Sequence, residues 1–247
     1  QVTCPGPVIA EATSASGAAV LFPVATATDD RTASPSLSYA PARGSVFPLG
    51  TTTVTATARD EAGNTASCSF PVTVRDTTAP TLTCPSAVLV EATGASGATV
   101  SYAAASASDT ASSTSVSYSQ ASGTLFPLGT TTVTATARDE AGNTASCSFP
   151  VTVHDTTAPT LTCPAAVVAE ATSASGATVT YPEASASDTA SSASVSYSQA
   201  SGTPFPLGTT TVTATTTDTE GNTASCDFTV TVRDTTAPTL TCPSAVM

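Results

Sequence analysis

The chain has 247 residues, six arginines, no lysine and eighteen acidic residues, giving a formal net charge of −12. Nucleic acid and anionic lipid both demand a basic face to meet their phosphates, so this composition argues against either partner. No run approaches the roughly 18 consecutive apolar residues of a membrane-spanning helix, which argues against membrane insertion.

Threonine, serine, alanine and valine dominate and tryptophan is absent. β-Branched Thr and Val favour pleated, half-buried surfaces. Abundant Ser, Thr and Pro would also suit a disordered mucin-like stalk, but period-two valines and regularly spaced cysteines oppose that reading. Seven cysteines in so sparsely charged a chain point to an oxidising, extracellular compartment.

Read from the start, Cys4-Pro5 opens a unit that recurs at Cys84, Cys163 and Cys242, with spacings of 80, 79 and 79 residues. The segment beginning Phe47-Pro48-Leu49-Gly50 and ending at Val74 returns word for word at Phe126, and with a few changes at Phe205. A second cysteine, Cys68, Cys147 or Cys226, repeats every 79 residues. A period near 80 exceeds the roughly 20–50 residues of solenoid repeats and suits a small domain with its own core. The expected domains are residues 1–76, 77–155 and 156–234, with 235–247 as the first strand of an incomplete fourth.

Within the second unit, Val100 with Tyr102 and Val116 with Tyr118 step by two, as strands do. The Ser106–Ser113 segment reads as an exposed loop. Phe126-Pro127-Leu128-Gly129 reads as a tight corner whose Phe and Leu plug the core. Thr132–Arg138 alternates polar and apolar, and Asp139–Asn143 follows as a hairpin turn. The last strand sets Cys147, Phe149, Val151 and Val153 on one face; Pro150, which has no N–H, predicts an edge or a bulge there. About seven short strands in ~80 residues give the fold class: all-β, tandem immunoglobulin-like β-sandwiches in an elongated rod. Each bead should span about 35–40 Å.

So thin a core calls for a staple. Pairing within the repeat joins Cys4 to Cys68, Cys84 to Cys147 and Cys163 to Cys226, leaving Cys242 unpaired in this chain. The rival scheme joins Cys68 to Cys84, Cys147 to Cys163 and Cys226 to Cys242, leaving Cys4. Counting does not choose. Geometry favours the first, because the last strand runs some 20 Å beyond its cysteine before the next unit begins. The linker Asp-Thr-Thr-Ala-Pro lacks glycine and is stiffened by proline.

The opening Cys-Pro, the Phe-Pro-Leu-Gly-Thr-Thr corner, the Asp-x-x-Gly-Asn hairpin and the Cys-x-Phe-x-Val-x-Val closing strand together resemble the hyalin repeat (HYR) family. They cover essentially the whole chain. The third unit departs slightly, with Thr217–Asn222 at its hairpin and Asp227 after its cysteine. The resemblance implies an extracellular immunoglobulin-like module used in adhesion or surface architecture, without catalytic residues.

Candidate chemistry is sparse. The one histidine, His154, stands where the sister units have Arg75 and Arg233, and neither phosphate-loop nor zinc-ligand spacing is present, so no enzyme is expected. Glu11, Glu91 and Glu170, with Asp76, Asp155 and Asp234, recur near the junctions and raise interdomain calcium as a candidate. Against it, each linker offers one Asp followed by threonines. Asp60, Asp139 and Asp218 read as caps of their own hairpins, and structural capping is the default. No cofactor is otherwise implied. The chain opens and closes within the repeated motif, so the expectation is a window onto a longer array, or subunits polymerising head to tail by β-augmentation. The function expected is a non-enzymatic extracellular fibre or stalk, such as a bacterial surface filament, whose partners are neighbouring repeats or copies of itself. The alternative is an adhesin whose loops contact a protein or carbohydrate.

Overall fold

The computed structural model describes residues 1–242. By compactness the chain forms two units, Gln1–Ala87 with Ser101–Ser122 and Thr132–Pro150, and Val88–Val100 with Gly123–Thr131 and Val151–Met247.

In the first unit, the T-V-T-A-T-A-R alternation builds the strand Gly50–Arg59, with Val54, Ala56 and Ala58 buried and the intervening threonines outward. It hairpins into Thr65–Arg75, and their register runs unbroken from Gly50↔Val74 to Arg59↔Thr65. A four-stranded sheet results, in the order Val8–Glu11, Thr65–Arg75, Gly50–Arg59, Ser36–Ala40. Facing it are two short pairs, Val2–Thr3 with Thr26–Ala27 and Ala18–Ala19 with Val46–Phe47. Between these layers Phe22, Phe47, Val54, Phe70, Val72 and Val74 form the core. Phe22 meets Phe70 edge-on at 5.1 Å. The second unit contains a sheet of the same order, Val167–Glu170, Thr223–Arg233, Gly208–Thr217, Ser194–Tyr197. Tyr181, Phe205, Val212 and Phe228 fill its core. The middle repeat's sheet has that order as well: Val88–Glu91, Thr144–His154, Gly129–Asp139, Thr114–Tyr118.

One pairing in each sheet is parallel. Val8–Glu11 runs beside Val72–Arg75, Val88–Glu91 beside Val151–His154, and Val167–Glu170 beside Val230–Arg233. Cys4 precedes Val8 by four residues and Cys68 precedes Val72 by four, so parallel register brings the two cysteines level. The bridges are Cys4–Cys68, Cys84–Cys147 and Cys163–Cys226, with sequence separations of 64, 63 and 63. Cys242 is unpaired and exposed. Closing loops of this length is worth about 4 kcal/mol each on the chain-entropy argument.

Two local expectations need correction, and the edge-or-bulge alternative at Pro150 is decided. At Pro150 the strand is a local edge, one of the two alternatives read from the sequence. It is flanked on both sides only from Val151 onward, so Pro150, like Pro71, sits where the parallel neighbour has not yet begun and no ladder hydrogen bond is lost on that side. The Ser106–Ser113 segment is not simply an exposed loop: Ser106–Ser108 pairs with Thr81–Thr83, and Ala111 is buried. At the corner, Phe47, Phe126 and Phe205 plug the core, whereas Leu49 and Leu207 stay 44% and 47% exposed. Of the fourth-repeat strand expected over 235–247, residues 243–247 lie outside the described residues, and 235–242 carry no strand assignment.

Glycine is required at Gly97, which has φ +106; a Cβ there would lie 1.9 Å from the carbonyl oxygen of Phe126. The third repeat carries one defect among the described residues. Thr216 is fully buried, its hydroxyl has no partner among the described residues, and its counterparts are Ala58 and Ala137. A buried unmet hydroxyl costs about 1–3 kcal/mol. Thr216→Val keeps the shape and removes that cost, so urea denaturation should show this repeat stabilised by about 1 kcal/mol. An unchanged or lowered midpoint would show that the hydroxyl is satisfied.

Candidate functional site

The chemistry of this chain is concentrated where one repeat passes into the next. Parallel pairing sets Glu11 opposite Arg75 at the end of the closing strand, and the chain then turns into Asp76-Thr77-Thr78. Glu11 reaches these linker residues across 66 positions of sequence. Its Oε1 accepts from the Thr77 amide at 2.8 Å and the Thr78 amide at 3.1 Å; the two threonine hydroxyls donate to Oε2 and Oε1 at 2.6 and 2.8 Å. Glu91 accepts from the Thr156 amide and from the hydroxyls of Thr156 and Thr157, and Glu170 from the Thr235 amide and the hydroxyls of Thr235 and Thr236. Donors converging on one carboxylate, four of them at Glu11, favour its charged form. The Thr77 hydroxyl, then the Thr77 amide and the Thr78 hydroxyl, pull Glu11 from its ordinary 4.5 down to about 2. Glu91 and Glu170 are lowered by the same kind of contacts, led by the Thr156 amide and the Thr235 hydroxyl. His154 lies 3.8 Å from Glu91 and adds a second neighbour there.

The linker aspartate faces the following repeat. Asp76 is 8% exposed; its Oδ1 accepts from the Thr78 amide at 3.2 Å and its Oδ2 from the Ser112 hydroxyl at 2.9 Å, while its carbonyl accepts from Asn143 Nδ2 at 3.3 Å. Within the second unit, Asp155 repeats this with Thr157, Ser191 at 3.0 Å and Asn222 at 3.1 Å. Two capped turns hold the receiving groups. Asp109 accepts from the amides of Ala111 and Ser112, fixing the serine. Asp139 accepts from the amides of Gly142 and Asn143 and from Asn143 Nδ2, fixing the asparagine. Burial raises Asp139, but the Asn143 side chain and the turn amides outweigh it and hold the carboxyl below its usual range; Asp218 behaves alike. Ala111 belongs to the apolar cluster of the preceding repeat.

Carboxylates consequently gather. Asp76, Asp109 and Asp139 each offer an oxygen within 4.8 Å of the others, as do Asp155, Asp218 and Glu220. Oxygen donors of this kind suit a hard cation such as Ca²⁺. The side chains of Asp76, Asp109, Asp139, Asp155 and Asp218 already accept hydrogen bonds from amides, hydroxyls or Asn amides, which is the capping role. Glu11, Glu91 and Glu170, read from sequence as calcium candidates beside them, serve the linker threonines instead. The sequence reading missed Ser112 and Ser191, and the second task of Asn143 and Asn222 in holding a linker carbonyl. The verbatim recurrence of Asp-Thr-Thr at residues 76, 155 and 234 was the available signal.

Stapled immunoglobulin-like sandwiches joined by a repeated polar junction define a class of tandem β-domain protein. The HYR domain model matches residues 1–74, 75–153 and 154–232, and the chain belongs to that family. No curated protein matches the sequence. Among solved structures, the protocadherin GammaB4 extracellular domain is 15% identical with a TM-score of 0.36, over 92% of this chain and 48% of that one. The chain thus spans about half the length of that protein. Mouse cadherin-23 EC22-24 is 15% identical at a TM-score of 0.36, over 92% of this chain and 95% of that one. Drosophila N-cadherin EC1-4 is 13% identical at 0.35, over 95% and 74%. No helix among the described residues is long and apolar enough to cross a membrane.

A carboxylate whose folded pKa is depressed contributes stability above its unfolded value and loses it as the pH falls through the folded one. The protection of the Thr77 and Thr78 amides against hydrogen exchange, taken relative to their intrinsic rates at each pH, should therefore be high at neutral pH and fall as the pH drops from about 4.5 towards about 2. Glu11→Gln should remove that pH dependence; exchange that ignores both changes would mean that Glu11 does not hold the linker.

Proposed function

We propose that the chain is a non-enzymatic extracellular structural protein, a run of HYR repeats at about 1–76, 77–155 and 156–234 that serves as part of a surface fibre or stalk. The observation that carries this reading is the repeated junction. The same Glu, Asp, Ser and Asn contacts tie linker to repeat at Asp76 and at Asp155, so the linker is a docking element and not a slack tether. Ordered junctions favour reach and cohesion over independent beads. Intrachain bridges and the family favour an extracellular location. The partners are neighbouring repeats or further copies. An adhesin using Ser106–Ser113 as its contact loop is less well supported, because Ser112 and Ala111 of that segment are engaged at the junction.

Electron microscopy of the native material, with masses taken under reducing and non-reducing conditions, tests this. Long beaded fibres are expected. Dispersed short particles that bind a specific glycan or protein on an array would favour the adhesin instead.

A further inference from the structure

The bridge positions and the sheet topology together specify how a pull along the chain is transmitted. This deepens the fibre reading, since a stalk that holds a cell or a neighbour works under tension. Chain entering a repeat reaches Cys4 within its first strand region and meets Cys68 directly through the bridge. From Cys68 it leaves along Ser69–Arg75, the latter part of the strand Thr65–Arg75, then the linker, then Thr81–Thr83, and arrives at Cys84. That route has 16 positions, most of them β-strand, which is already near full extension at about 3.3 Å per residue. The remaining chain of the repeat, between Cys4 and Cys68, lies inside a covalent loop and off the route. Cys84–Cys147 and Cys163–Cys226 repeat the arrangement.

We propose that the three bridges are tension-bearing elements that carry a pull past the sandwich cores, so that force along the chain loads the closing strands and linkers and leaves the folded loops unstretched. The parallel pairing makes this possible. It brings the leading end of the opening segment level with the leading end of the closing strand, so the bridge sits at the entrance of each repeat and the closing strand leads straight to the exit. The rival pairing of Cys68 with Cys84 would do the reverse, shorting out the linker and placing every core in the path.

Single-molecule pulling between the ends of the chain, first oxidised and then with dithiothreitol in the same cell, decides between them. Oxidised molecules should show no unfolding step near the length of a repeat. After reduction, up to three steps should appear, each releasing a loop of 63 or 64 residues, or about 220 Å at about 3.5 Å per residue. Steps of that size before reduction, or traces that reduction leaves unchanged, would overturn the proposal. A Cys84→Ala/Cys147→Ala variant, confirmed as folded by circular dichroism, should give one such step without reductant while its neighbours give none. Failure here is separable from failure of the fibre reading, because the pulling experiment needs only this chain and microscopy of native material reads assembly.

Discussion

Each repeat depends on the parallel pairing of a four-residue strand with the end of the closing strand. In an otherwise antiparallel architecture this pairing brings like ends together. At the leading end it puts Cys4 level with Cys68, four residues ahead of Val8 and Val72. At the trailing end it puts Glu11 beside Arg75, from which its carboxylate reaches Thr77 and Thr78. A covalent bond therefore closes one end of the strand pair and a carboxylate hydrogen-bonded to the linker closes the other. A slip of one residue would turn Val72 and Val74 out of the core and separate both closures at once.

The reliance on closures follows from the core. Its largest fully buried side chain in each repeat is phenylalanine, and valine and alanine supply most of the rest. The outer sheet faces are lined with hydroxyls that bond across strands, such as Thr51 with Thr73 and Thr130 with Thr152. These faces satisfy β-propensity without adding apolar burial, so a repeat of this size draws much of its integrity from its bridge.

Much of this is legible in the sequence, because period-two alternation and the exact repeat are one-dimensional signals. The strand Gly129–Asp139, its hairpin and the all-β class follow from them. What escapes is chemistry that depends on which segments become neighbours. Glu91 and Thr156 are 65 positions apart, and only the parallel register makes them adjacent. The same limitation made Ser106–Ser113 look like free loop, since Ser112 finds its partner 36 positions earlier in Asp76. At Pro150 the sequence left edge and bulge open, because its neighbour's starting point, Val88, is a property of the assembled sheet.

The junction has an evolutionary corollary. The groups on its two sides are the same at Asp76 and at Asp155: a Glu behind, an Asp-Thr-Thr between, a Ser and an Asn ahead. Removing one whole period of 79 residues, or inserting another, would leave every surviving junction with its full complement. Unequal recombination between such similar coding segments could therefore lengthen or shorten the array in single genetic events without passing through a misjoined intermediate.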